Sequence, residues 1–196
     1  MNELQIPNYY ENIENIIEEK INGKIYLMAR PERNHLRVQR NIMNIFENYF
    51  KTKGKKCEAI IEDELYIDDN NYLVPDVEVL CHDKSDDIPV IVIEVLSKST
   101  RDKDLTVKMK KYAEIGIKEY WIIDYKNRSV DIYILSDKID KIYEAFKSYS
   151  LFLIEDFSRI KKDRERQEKE AIKEFFPVSF PEINIPLEDV FYMVDS

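Results

Sequence analysis

Two acidic residues stand where acids are expensive. Asp76 follows Pro75 at the head of the run "VPDVEVL", and Glu94 lies inside "IPVIVIEVL", which is otherwise aliphatic and largely β-branched. The second run has the composition of a strand covered on both faces. An ionised carboxylate there has to be paired, metal-bound or held neutral. If the two strands pair side by side, as their order in the chain permits, both carboxylates converge on one end of a sheet. Two hard oxygen ligands from adjacent strands suit Mg2+ or Mn2+, which bind through one or two carboxylates plus water and phosphate. A cation held there would activate a water and steady the charge developing on a phosphodiester. A nearby lysine would orient that water and counter the charge. Both acids also have plainer uses: Asp76 can begin a strand or cap a turn, and Glu94 can pair with a basic side chain.

The elements that must position these residues follow from periodicity. Ile13, Ile16, Ile17 and Ile21 have helical spacing, which predicts a helix ending near Asn22-Gly23, followed by a short strand in "KIYLMA". After Pro31, the residues Leu36, Val38, Ile42, Ile45, Phe46 and Tyr49 predict a long amphipathic helix stopped at Gly54. "CEAIIEDELYID" supplies strand material before a turn at "DDNN", and the two acid-bearing runs come next. "TRDKDLTVKMKKYAEIG" predicts a helix through Leu105, Met109, Tyr112 and Ala113 with Gly116 as its stop. "KEYWIIDY", "SVDIYIL" and "KIYEAF" read as three further strands, and "FPEINIPLEDVF" as core material with a short final helix. This order predicts an α/β protein built on one mixed sheet flanked by helices, in a single domain over residues 1–196. The stretch at about 155–176 is dense in both signs of charge and reads as a solvated helical excursion.

Bulk properties narrow the chemistry. The net charge of −9 argues against binding nucleic acid by bulk electrostatics, while leaving room for a local basic cleft. With only three glycines, the chain has no glycine-rich phosphate loop. A serine nucleophile would need a histidine–acid partnership, and only His35 and His82 are present, with no nucleophile-elbow sequence. No run is long enough to cross a bilayer, and the first residues do not read as a signal peptide. Cys57 and Cys81 lie in different segments, so the expectation is two reduced thiols in a cytoplasmic protein, without a zinc site or a disulfide.

Pro75-Asp76 followed by a glutamate inside an apolar strand resembles the skeleton of the PD-(D/E)XK nuclease superfamily. More closely, the chain from Ile21 to Phe191 resembles the bacterial Uma-two family of restriction endonuclease-like proteins. "EVLSKSTRDKDLTVKMKKYAEIGIKEYWIID" matches that family's best-known block almost throughout, and "EKINGKIYLMARPERNH" its N-terminal block. The resemblance implies a restriction-endonuclease-like fold and an Mg2+- or Mn2+-dependent endonuclease acting on DNA, with a homodimer as the common way to cut both strands. The superfamily's lysine two positions after the strand acid is replaced by Leu96. The resemblance implies a migrated lysine, Lys108, ranked ahead of Lys98 and Lys103. Glu19 matches the family's N-terminal glutamate and is implied as an additional ligand through a water. His35 also matches a family histidine, with a helix cap or a core hydrogen bond as its expected role. Ser97 and Ser99-Thr100 are expected to cap the following helix. The departure at Leu96 and the acidic net charge motivate a rival reading, a catalytically inactive nuclease-fold binding or assembly module.

Overall fold

The computed structural model describes residues 17–28, 30–82, 88–97, 104–136, 141–151 and 174–195. Six strands form the main sheet, in the order β10-β9-β8-β7-β6-β3. They are β3 (Cys57–Ile61), β6 (Val77–Cys81), β7 (Ile91–Val95), β8 (Glu119–Asp124), β9 (Ser129–Leu135) and β10 (Tyr143–Ser150). Every neighbouring pair is antiparallel except β7 and β8, which are parallel. The mixed sheet with flanking helices expected from the sequence is the architecture found.

Helix α1 (Arg33–Lys53) covers one face of this sheet. Its stripe of Val38, Ile42, Phe46 and Phe50 packs on Val77, Val79, Ile91, Ile93, Val95, Trp121 and Ile123. The helix ends where Gly54 takes a left-handed conformation at φ 62° and returns its N–H to the carbonyl of Phe50. The opposite face is covered by α2 (Met109–Ile115), entered through a wider π-type turn at Asp104–Lys108, and by a four-stranded sheet of order β2-β1-β5-β4. The smaller sheet comprises β1 (Glu18–Ile21), β2 (Lys24–Leu27), β4 (Leu65–Asp68) and β5 (Asn71–Leu73). Ile21, Leu65 and Leu73 from it meet Val92, Leu96, Tyr112, Tyr120 and Ile122 in a second core. Strand β7 is therefore buried along its whole length, which explains its uninterrupted apolar run. The tail adds β11 (Glu174–Phe175), β12 (Ile185–Pro186) and the short helix α3 (Leu187–Val190).

Two expectations are corrected. Residues 18–21 are a strand, not the end of a helix. Asn22 and Gly23 have φ of 50° and 78°, the positive pair that a two-residue hairpin turn requires, and Ile21 lies opposite Lys24. The Asn-Gly signal for a hairpin outweighs the helical spacing of the isoleucines. The two cysteines, expected as separate thiols, form a disulfide. The antiparallel register of β3 and β6 sets Cys57 directly opposite Cys81, with the Cα atoms 4.0 Å apart. Lys98, Ser99-Thr100, Lys103 and residues 155–173 of the charged excursion expected at about 155–176 lie outside the described residues; at its end, Glu174–Phe175 is a strand, paired with Ile185–Pro186, and not helix. Among the described residues, no helix is long and apolar enough to cross a membrane.

Candidate active site

The register between β6 and β7 decides where the two acids stand. Val77 with Ile93 is the last pair of the ladder; Asp76 comes one residue before β6, and Glu94 lies next to Ile93 in β7. Side-chain contacts reach the two acids from opposite faces of the sheet, Asp76 from α1 and Glu94 from α2 and its π-type turn. Both are buried, Asp76 at 8 % exposure and Glu94 at 2 %.

Asp76 sits where β6 leaves the sheet. Its Oδ2 accepts the backbone N–H of Val95 at 2.5 Å, extending the ladder by a side-chain bond. Its Oδ1 accepts from Gln39 Nε2 at 3.0 Å and lies 2.8 Å from His35 Nε2. His35 and Gln39 are four residues apart on α1 and therefore project from one face of it. The core hydrogen bond expected of His35 is thus present, and its partner is Asp76.

Glu94 belongs to a second group of contacts. Its Oε1 accepts from Lys108 Nζ at 2.8 Å and from the Tyr112 hydroxyl at 2.6 Å. Lys108 is fully buried. Its ammonium also lies 2.5 Å from Glu19 Oε1 and 3.8 Å from Asp104 Oδ1. The π-type turn Asp104–Lys108 and the first turn of α2 aim Lys108 and Tyr112 at the sheet from one side. Strand β1 brings Glu19 in from the other, since Glu19 and Ile21 are its inward-facing residues. Glu19, implied as an additional ligand, is fully buried, and its Oε1 also accepts the Val74 N–H at 3.2 Å.

The electrostatics are lopsided. Burial pushes the Lys108 ammonium towards losing its proton, but Glu94, Glu19, Asp104 and Asp76 outweigh that and hold it well above the ordinary lysine value. Lys108 is a permanent cation and a donor, with no capacity to act as a base. Three carboxylates, those of Glu19, Glu94 and Asp104, lie within 4 Å of this ammonium. Burial pushes the Glu94 carboxyl well above the usual carboxylate range; Lys108 pulls it back, and the charges of Asp104, Asp76 and Glu19 push it further up. Burial and Glu94 together keep the Tyr112 phenol protonated, so it donates.

Buried carboxylate oxygens are the hard ligands that Mg2+ and Mn2+ take, so this donor set fits either ion. Among the described residues, no three ligating side chains converge on one point. A cation that keeps most of its waters does not need three. At Glu94 the hydrogen bonds among the described residues all fall on Oε1, leaving Oε2 as the oxygen to offer.

Lys108 is the lysine that the helix brings to Glu94, across 14 residues of sequence. Tyr112, Gln39 and Asp104 were not anticipated as parts of the site. The sequence carries a signal for one of them: Gln39 interrupts the apolar stripe of α1 between Val38 and Ile42, where a polar side chain needs a buried partner. Tyr112 looked like one more apolar anchor of its helix. His82, the other histidine, is exposed and lies 2.6 Å from Glu58 Oε1, away from the site.

Residues 4–171 match the protein-family model described as "Uma2: Putative restriction endonuclease". Among solved structures, the chain is similar to "a putative nuclease belonging to DUF820 from Anabaena variabilis ATCC 29413", with 18 % sequence identity, a TM-score of 0.66 and 91 % of each chain covered. At that identity the likeness establishes a common fold. No curated protein matches the chain.

Proposed function

Since the chain belongs to the Uma2 family of restriction endonucleases, we propose that it is a divalent-metal-dependent nuclease that hydrolyses phosphodiester bonds in DNA. Asp76 and Glu94 would hold Mg2+ or Mn2+. When bound, the cation supplies Lewis acidity to a phosphate oxygen and acidifies a water. Lys108, locked in its charged form, donates a hydrogen bond to the attacking water and offsets the charge that builds on the phosphate. Glu19 seats the Lys108 ammonium and assists through a water. Tyr112 fixes Glu94 from the side opposite Oε2. His35, Gln39 and the Val95 N–H fix Asp76. A homodimer would align two such sites for two strands. The cytoplasmic setting expected from the sequence belongs to this reading, with the Cys57–Cys81 pair then exchanging with the thiol pool.

The observation that carries the reading is the meeting of Lys108 with Glu94. A Lys108 that pointed away from both carboxylates would have favoured the rival binding-module reading, and it points at one of them. The direct test is plasmid nicking in Mg2+ or Mn2+ by the wild type and by Asp76→Ala. Cleavage by the wild type that drops at least a hundredfold in the variant supports the reading. Equal cleavage by both proteins, or none on any DNA, counts against it.

A further inference from the structure

Gln39 does more than fill a place on α1. Its amide nitrogen donates to two carboxylates, Asp76 Oδ1 at 3.0 Å and Glu62 Oε1 at 3.1 Å. Register places those two acids together. Ile61 with Val77 is the last pair of the β3–β6 ladder, so Glu62 and Asp76 are the next residues out at that end, and the Gln39 amide bridges them. Glu62 holds its place with a left-handed backbone at φ 54°, which a glutamate adopts only under constraint.

The amide oxygen of Gln39 is buried and has no hydrogen-bond partner among the described residues, in a side chain only 1 % exposed. Reversing the amide would satisfy nothing, because it would set that oxygen against two carboxylates. A stranded buried acceptor is destabilising. Its retention is explained if the two N–H bonds serve something other than stability. The alternatives make the point. A lysine or arginine here would also bridge the two acids, and more strongly, but it would place a cation beside Asp76. A neutral double donor fixes the carboxylate without adding a charge of its own.

We propose that Gln39 is a positioning residue for the metal reaction: it fixes the Asp76 carboxylate while leaving its negative charge available to a divalent cation. This rests on the nuclease reading above and adds to it a role for a residue outside the ligand set. Groups that hydrogen-bond ligating carboxylates commonly change metal affinity by 10–100-fold.

The test is Mn2+ binding by the full chain, followed by calorimetry and by the loss of the free-Mn2+ paramagnetic resonance signal, without nucleic acid. Gln39→Met keeps the length and removes both donors. Its Mn2+ affinity is expected to fall at least tenfold while its thermal midpoint stays within a few degrees of the wild type. Gln39→Lys keeps donors to both acids but adds charge, and its Mn2+ affinity is expected to fall at least tenfold with the midpoint unchanged or higher. Wild-type Mn2+ affinity in a folded Gln39→Met overturns the inference while leaving the nuclease reading standing. If Gln39→Met does not fold, Gln39→Lys decides, and wild-type affinity there overturns it equally. A wild-type chain that binds no Mn2+ overturns the inference together with the reading beneath it.

Discussion

Two glutamates lie buried on the adjacent strands β7 and β8, and the protein treats them in opposite ways. Glu119 is 1 % exposed, yet all of its partners are neutral. Its Oε1 accepts from Trp121 Nε1 at 2.9 Å and from the Val178 N–H at 3.0 Å, and its Oε2 from the Ser179 N–H at 2.8 Å. Both oxygens are used, and what they hold is the returning tail. Glu94 meets a permanent cation and a phenol on one oxygen only, and three other carboxylates press on it. A buried acid with both oxygens satisfied by N–H groups is a fastener. One with an oxygen to spare, beside a buried lysine and further carboxylates, is equipped for chemistry. Glu78 is a third case. It is buried beside Val92 with its Oε2 lacking a partner among the described residues, and burial, then Asp63 and Glu58, push its carboxyl up to about 7.

The sharpest way to break this comparison is to make the same change in both glutamates. Glu94→Gln removes a charge from the site and keeps the shape. DNA cleavage is expected to fall at least a thousandfold, with the fold intact by circular dichroism. Glu119→Gln turns one acceptor into a donor facing a backbone N–H, and is expected to lower unfolding stability by about 2 kcal/mol in urea. Its cleavage rate per folded molecule is expected to remain within twofold of the wild type. If Glu119→Gln silenced the reaction and Glu94→Gln did not, the assignment of roles would be reversed.

Glu78→Gln sharpens the comparison through pH. Well below the ordinary value of 4.5, the carboxyl carries its proton whether the chain is folded or not. Between 4.5 and about 7 the unfolded chain gives up the proton first, so wild-type stability falls as pH rises; above 7 the loss is complete. The variant has no proton to lose. It is expected to match the wild type near pH 4.5 and to exceed it by roughly 3 kcal/mol at pH 8, as read from urea unfolding at each pH. A pH-independent difference would show that the Glu78 carboxyl titrates alike in the folded and unfolded chain, so that burial does not raise it. Tyr112→Phe is the mildest change, since it leaves Lys108 on Glu94. A stability loss of about 1 kcal/mol and a fall in cleavage of tenfold or less are expected, with cleavage and unfolding measured on the same preparation.

The sequence made much of this legible, and the failures have physical causes. The apolar run around Glu94 identified a doubly covered strand because such a strand has no polar face to interrupt it. The long stripe from Val38 to Phe46 identified α1, and Gly54 its end. Pairing register, however, is a long-range property. Nothing in the sequence near Cys57 or Cys81 shows that they lie opposite one another, nor near Glu62 that it aligns with Asp76. The segment ending at Asn22-Gly23 carried two conflicting signals, and the turn chemistry of Asn-Gly prevailed over the isoleucine spacing once β2 was there to pair. Glu94 and Glu119 look alike in sequence, for each is one acid in an apolar strand. Their partners arrive from residues 108 and 112 in one case and 178 and 179 in the other, so only the folded chain separates them.

The central claim is that Asp76 and Glu94 grip one cation. It is tested most directly by soaking crystals of the protein in Mn2+ and measuring anomalous diffraction. The account predicts a peak bonded to an oxygen of each carboxylate, absent in Glu94→Gln. A well-soaked crystal with no peak between them, or with Mn2+ held elsewhere, would contradict it.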